Sequence, residues 1–295
     1  MFIVKYRKIF FAISAVLVIV SIAMVFARGL NFGIDFKGGS LTEVSYKDIR
    51  PETSELQTAV AALSLGDVRI QPAGERDVII RTKSLSNTGH SSLLTALSLD
   101  GKSLFEEKRF SSIGPVVGQE LRSRAWVAIL LVILGIVLFI AFAFRHVSEP
   151  VASWKYGTII VIALLHDIII PTGVVAFLGK DVDTLFIIAL LSIMGLSVHD
   201  SIVVFDRVRE NLRLKKGLEF GEIVGKSLEQ TFVRSINTSL TIILVLFALY
   251  FFGPASTKDF SLILLIGMFF GTYSSIFLGS PLLVTMKEWQ ERKRG

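Results

Sequence analysis

From Ile9 to Ala27 the chain runs nineteen residues without a charge, enough as helix to cross the roughly 30 Å hydrocarbon core of a bilayer. Five more such runs follow: Ala125–Phe144, Tyr156–Leu178, Thr184–Phe205, Ile236–Phe252, and Phe260 to about Met286. Only the third and fourth carry ionisable groups, His166-Asp167 and His199-Asp200. Backbone amides in lipid have to be satisfied within their own segment, so this pattern specifies an α-helical polytopic membrane protein with six transmembrane helices. A charged content of 19%, against about a quarter in soluble domains, and a mean hydropathy of +0.64 agree. With no Cys and only 7 Pro, disulfide-scaffold, collagen-like and disordered readings fall away.

Orientation follows from Lys and Arg in short loops. With the N-terminus inside, sixteen fall on the cytoplasmic side, among them Lys5, Arg7, Lys8, Arg145 and Lys155, and only Lys180 and Lys258 fall in short outside loops. Both termini are expected in the cytoplasm. The net charge of +6 is then mostly topology, and nucleic acid is not an expected partner. Val25-Phe26-Ala27 would suit a signal peptidase, but the apolar run before it exceeds the 7 to 15 residues typical of such peptides. The expected organisation is residues 1–28 as N-terminus and first helix, 29–124 as an extracytoplasmic domain, and 125–295 as helices two to six. A cytoplasmic loop at 206–235 reads as amphipathic helix with Ile223, Leu228 and Phe232 as apolar contacts.

The inserted domain opens on Gly33-Ile34-Asp35-Phe36-Lys37-Gly38-Gly39, whose glycines suit a tight turn or a close backbone approach. Strands are expected at Ser40–Tyr46, Asp67–Gln71, Asp77–Lys83 and Ser103–Ser111, and helices at Pro51–Ser64 and Ser91–Leu99, the latter ended by Asp100-Gly101. That order is the split βαβ, ferredoxin-like plan. No His or Cys cluster and no convincing carboxylate pair lies in it, so it reads as a contact module.

A charge at mid-bilayer costs on the order of 2.5 to 3.5 kcal/mol on insertion scales, so intramembrane ionisable residues point to function. His166-Asp167 sits about halfway along the third span, and adjacent helical residues diverge by about 100°, so the two are not expected to serve one point. Asp200 lies in Gly-Leu-Ser-Val-His-Asp-Ser, a run of small and polar residues that admits water, where a carboxylate can load and release a proton. Arg234, opening the fifth span, is either its counter-charge or a snorkelling anchor. Asn237, Thr238, Ser239 and Thr241 after it suit a wet path or interhelical hydrogen bonds. Gly267-x-x-x-Gly271, followed by Thr272-Tyr273-Ser274-Ser275, makes a small-residue face for a helix–helix or subunit contact.

No nucleotide site is expected. Gly221-Glu222-Ile223-Val224-Gly225-Lys226-Ser227 has three residues between its glycines where a phosphate loop needs four. HExxH, GxSxG and CxxC are absent too, so the chain reads as no enzyme, without cofactor or metal, drawing on an ion gradient (H⁺ or Na⁺) or on a partner.

Six blocks together resemble one family: GIDFKGGS at 33–40, SSIGPVVGQELRSRA at 111–125, ALLHD at 163–167, SIMGLSVHDSIVVFDRVREN at 192–211, RSINTSL at 234–240 and GTYSSIFLGSPLL at 271–283. The chain resembles the SecF family, the smaller membrane subunits that accompany SecD in the bacterial Sec protein-export machinery. The resemblance implies half of an RND-type bundle in the cytoplasmic membrane, SecD as partner, SecYEG as channel and unfolded preproteins as clients, with YajC and YidC as further associates. It implies use of the proton or sodium motive force to promote export, with Asp200 and Arg234 tied to ion transport. His199 stands where the family usually has Asn, and either alters the pH dependence of the relay or hydrogen-bonds where Asn does. Two rivals remain at this stage: an RND-type exporter of small molecules or lipids, of which this chain would be half, and a structural partner whose membrane carboxylates only pack. Partners for Asp200 stay open among Arg234, His166 and a group on another subunit.

Overall fold

The computed structural model describes residues 2–63, 65–66, 68–99, 101–143, 153–214 and 217–292. Ser64, Asp67, Asp100, Phe144 and Arg145, named above, lie outside them. The chain divides into two compact units. One is helical (Met1–Asn31, Ala128–Lys180 and Leu185–Gly295), and the other is α/β (Phe32–Val127 with Asp181–Thr184).

Six helices of the described chain are long and apolar enough to cross a membrane. After a short α1 (Phe2–Lys5) come α2 (Arg7–Arg28), α6 (Pro115–Ala143), α7 (Ser153–Leu178), α8 (Thr184–Leu214) and α9 (Phe220–Phe252). The sixth is composite: α10 (Ala255–Tyr273), a π-helical turn (Ser274–Gly279) and α11 (Ser280–Arg292). Helix α7 packs against α2 and α10. Its Gly173 is required at the α2 seam, because a Cβ there would stand 2.4 Å from Ser21 Cβ. Ser14 and Ser21, seven residues apart, are the two buried positions of α2. The stretch 206–235 is not an open loop, since α8 continues to Leu214 and α9 begins at Phe220. Ile223 and Leu228 bury their side chains as the amphipathic reading expects, whereas Phe232 is 38% exposed. Asn211, itself buried, joins the two helices by donating to Ser227 Oγ and Gln230 Oε1, both at 2.8 Å. At the chain's two ends Arg7 clamps Glu288 at 2.6–2.7 Å.

After a two-residue β1 (Asn31–Phe32) and a single-turn α3 (Ile34–Lys37), β2 (Gly39–Tyr46), α4 (Thr53–Ala61), β3 (Arg69–Ala73), β4 (Asp77–Thr82), α5 (Asn87–Leu97) and β5 (Phe105–Ile113) follow one another in the order read from the sequence. Strands β2 to β5 pair as β3-β4-β2-β5, antiparallel throughout. Val44, Tyr46, Val78 and Ile80 meet Leu56, Val60, Leu93 and Leu97 of the two helices in one core. The Tyr46 hydroxyl donates to Leu97 O at 3.0 Å, and burial pushes its phenol up to about 12, so it stays a donor. Two boundaries shift for visible reasons. Ser86 caps α5 by accepting from Gly89 N–H, which starts the helix before Ser91. β3 runs through Pro72, which pairs with Val78; a residue without an N–H is tolerated because β3 is an edge strand.

Candidate functional site

The helical unit buries a polar cluster around Asp167, which is fully enclosed. Its Oδ2 accepts from Ser197 Oγ of α8 at 2.5 Å and from Ser274 Oγ of the π turn at 2.8 Å. Its Oδ1 accepts from His166 Nδ1 at 2.8 Å. The sequence expectation that His166 and Asp167 act at separate points is therefore corrected: their Cα–Cβ bonds diverge, but the rotamers close a contact between the side-chain ends. His166 is stacked on Tyr273 at 6.0 Å, and its Nε2 is buried with no partner among the described residues. Helix α7 is open at this level. Pro171 has no N–H, so the Asp167 carbonyl four residues earlier loses its intrahelical donor. Three donors from three segments thus hold a carboxylate that lipid alone would make costly.

Asp200, one turn further along α8 than Ser197, is buried but held far more loosely. Ser275 Oγ is 3.4 Å from its Oδ2, beyond a good hydroxyl hydrogen bond. Ser235 of α9 turns inward on the same side, its hydroxyl buried and without a closed hydrogen bond. Of the alternatives left open for Arg234, the ion pair with Asp200 is not formed. Arg234 lies on the exposed side of α9 and makes no ion pair among the described residues. His199, Asn237 and Thr238 are exposed as well. Between Thr231 and Leu240 the buried residues of α9 are instead Thr231, Ser235 and Ser239, four apart, and Ser239 accepts from Thr272 at 2.5 Å. The structure therefore brings Asp167 and His166 together, leaves Asp200 between two serines, and puts the remaining expected relay residues on outward faces. Ser197 and Ser235 carry no motif of their own in the sequence, and only the run of small residues around Asp200 and Arg234 hints at them.

The glycines of both motifs sit at close approaches. Gly267 faces Ile193 of α8, and a Cβ there would fall 2.1 Å from Ile193 Cδ1; Gly271 faces Ser197 and Asp167. In the α/β unit Gly38 has φ +79°, and a Cβ on it would stand 2.7 Å from Pro115 Cα. Gly39, at φ +141°, approaches the Thr82 carbonyl. Gly33 faces Asp183, and the Asp35 carboxylate accepts from the Thr184 backbone N–H at 2.8 Å. Their geometry is that of backbone packing. No group of three or more His, Cys, Asp or Glu placed to hold a metal occurs among the described residues.

A six-helix membrane protein with carboxylates buried among serines, interrupted by a small α/β unit, is the class these features define. A family model described as protein export membrane protein SecD/SecF, C-terminal, matches residues 95–289, and one described as the SecD/SecF GG motif matches 23–48. The protein translocase subunit SecF of Thermobaculum terrenum is 42% identical over 306 residues, covering 98% of this chain and 94% of its own. That of Anaerolinea thermophila is 36% identical, covering 98% and 96%. The crystal structure of SecDF, a translocon-associated membrane protein from Thermus thermophilus, superimposes with a TM-score of 0.85 at 32% identity over 97% of this chain. A second SecDF structure, in a super-membrane-facing form, gives 0.68 at the same identity. This chain spans 38% and 39% of those two SecDF chains. The chain belongs to the SecD/SecF family of protein-export membrane proteins.

Proposed function

We propose that the chain is the SecF-type accessory subunit of a Sec translocase. Paired with a SecD-type partner, it uses the proton or sodium motive force to promote export of unfolded preproteins through SecYEG, and YajC and YidC are candidate associates. The observation that carries this reading is the match to SecF chains along nearly the whole length, combined with coverage of 38% of SecDF. In this reading a SecD-type part supplies the rest of the SecDF assembly. Exposed aliphatic and aromatic side chains along α6, such as Leu130, Leu134, Leu138 and Phe142, leave a face for lipid or for that partner's helices. In this reading the bundle is half of an RND-type one, both termini are cytoplasmic, and the α/β unit, of ferredoxin-like plan, works outside the membrane as a contact module. The chain has no enzymatic role and no cofactor beyond the coupling ion.

Asp200 is the relay carboxylate in this scheme. It is buried in the span between Ser235 and Ser275, and the 3.4 Å to Ser275 Oγ leaves it free to exchange partners. Arg234 and His199, on outward faces, meet the partner or swing toward Asp200 during the cycle. The test is export of a secreted reporter in cells whose only copy carries Asp200→Asn, with both subunits blotted in the same membranes. Both should accumulate normally while export falls to the level of a null strain. Normal export would remove Asp200 from the relay.

A further inference from the structure

Ser274 and Ser275 open the π-helical turn and are both fully buried. A serine hydroxyl has one proton, and each of these has two acceptors within reach. Ser274 Oγ lies 2.8 Å from Asp167 Oδ2 and 3.0 Å from the Gly271 carbonyl. Ser275 Oγ lies 3.4 Å from Asp200 Oδ2 and 3.0 Å from the Thr272 carbonyl. The two serines are thus set oppositely: the first favours its carboxylate, the second its own backbone. We propose that Asp167 is a positioning residue for Asp200, acting through the Ser274–Ser275 step of the π-helical turn. This rests on the reading of Asp200 as the relay carboxylate.

The coupling is local and covalent. Consecutive Cα atoms are about 3.8 Å apart across a planar peptide, so fixing Ser274 fixes where Ser275 can present its hydroxyl. Asp167 does that fixing. It is itself held by His166 and Ser197, so the Ser274 hydroxyl meets a carboxylate that cannot move away. The turn is also the part of this span able to adopt more than one hydrogen-bond pattern. π-helical turns inside α-helices recur at functional sites. Here Ser280 Oγ donates to the Ser275 carbonyl at 3.0 Å, satisfying an acceptor of the wide turn. Gly271, one turn before, has no side chain to separate the segment from Asp167, whose Oδ2 lies 3.7 Å from where a Cβ would be. When the Ser275 hydroxyl turns to donate to Asp200, its hydrogen bond to the Thr272 carbonyl breaks, and the step shifts against an anchor at Ser274. Asp167 itself need not exchange a proton for this.

The test uses the full chain with its SecD-type partner in lipid vesicles and isotope-edited infrared difference spectra. The bands of Asp200 are those lost in Asp200→Asn. Ser275→Ala removes a direct neighbour and should move these bands. Asp167→Asn and Ser274→Ala remove no contact of Asp200, yet both should move them, and Asp167→Asn combined with Ser275→Ala should move them no further than Ser275→Ala alone. Ser274→Thr, which keeps the hydroxyl, should restore the wild-type position. In cells Ser274→Ala should slow export roughly 2- to 10-fold, the worth of one net hydrogen bond, with normal accumulation. Bands unmoved in Asp167→Asn and Ser274→Ala overturn the proposal, and Ser274→Ala decides it alone where Asp167→Asn fails to accumulate. Normal export in Asp200→Asn is a different outcome: it sinks the relay reading while the infrared coupling can still stand.

Discussion

Helices α7 and α6 are both apolar enough to span a bilayer, and they use that property in opposite ways. Of α7's apolar stretch 61% is buried inside the chain, against 6% for α6. Helix α7 carries His166, Asp167 and Pro171, while the apolar part of α6 from Trp126 onward is uncharged. The difference shows that hydropathy alone does not say which span is the core of the bundle. Polar groups do, because in lipid they are tolerated where neighbouring helices supply partners. Helix α6 instead keeps a surface that other apolar molecules can cover.

The largest expected effect tests the buried side of this contrast. Gly173→Val drives a side chain into the Ser21 backbone at the α2–α7 seam, and most of the protein should disappear from the membrane on a quantitative blot. Next, Leu164→Ala on α7, where the residue is buried, should cost about 2–5 kcal/mol in thermal unfolding of the purified chain. Leu134→Ala on α6, 53% exposed, should cost less than about 0.5 kcal/mol. Equal losses at the two sites would erase the distinction between core and peripheral span. In the α/β unit Gly38→Ala combines a positive φ with contact at Pro115 and should cost about 1–3 kcal/mol, read as faster proteolysis of that unit in the intact chain.

The smallest effect concerns Glu43, which is buried on the sheet without the three donors that Asp167 enjoys. Burial first, and then the nearby Asp77 carboxylate, push its carboxyl above the usual value of 4.5, against the pull of Lys108 and Arg109. The folded state then holds its proton more tightly than the unfolded one. Its contribution is full below pH 4.5 and is lost as pH rises through the folded value. Glu43→Gln should flatten that slope and slightly raise resistance to proteolysis at neutral pH. An unchanged slope would show that Glu43 is ionised at little cost.

Much of this architecture is legible in the residues themselves. Uncharged runs of sufficient length mark the spans, because nothing else satisfies a backbone in lipid. Alternation and turn residues mark the order of strands and helices between Ser40 and Ser111. The ends are less legible. Helix α9 starts sixteen residues before the apolar run at Ile236, since Ile223, Val224 and Leu228 find a core to pack against and a hydropathy window does not see it. At the site, a helical projection separates His166 from Asp167 by the angle of their Cα–Cβ bonds. It has no knowledge of the rotamers that reunite them. The partners of Asp167 come from residues 30 and 107 positions away, Ser197 and Ser274, and no local pattern encodes such pairings. Arg234 shows the converse: its spacing suggested a partner for Asp200, but helical phase puts it outward and Ser235 inward.

The wide turn at Ser274–Gly279 bears on how this span tolerates changes in its length. Removing one residue from an α-helix rotates everything beyond it by about 100°, which here would swing Leu283 and Val284 out of the core. A π turn already carries a surplus residue, so a single deletion inside it lets the helix close to ordinary pitch while the downstream face keeps its direction. Between Ser274 and Gly279 the last span can therefore shorten by one residue and still fold, giving up only the arrangement of serines around the two carboxylates.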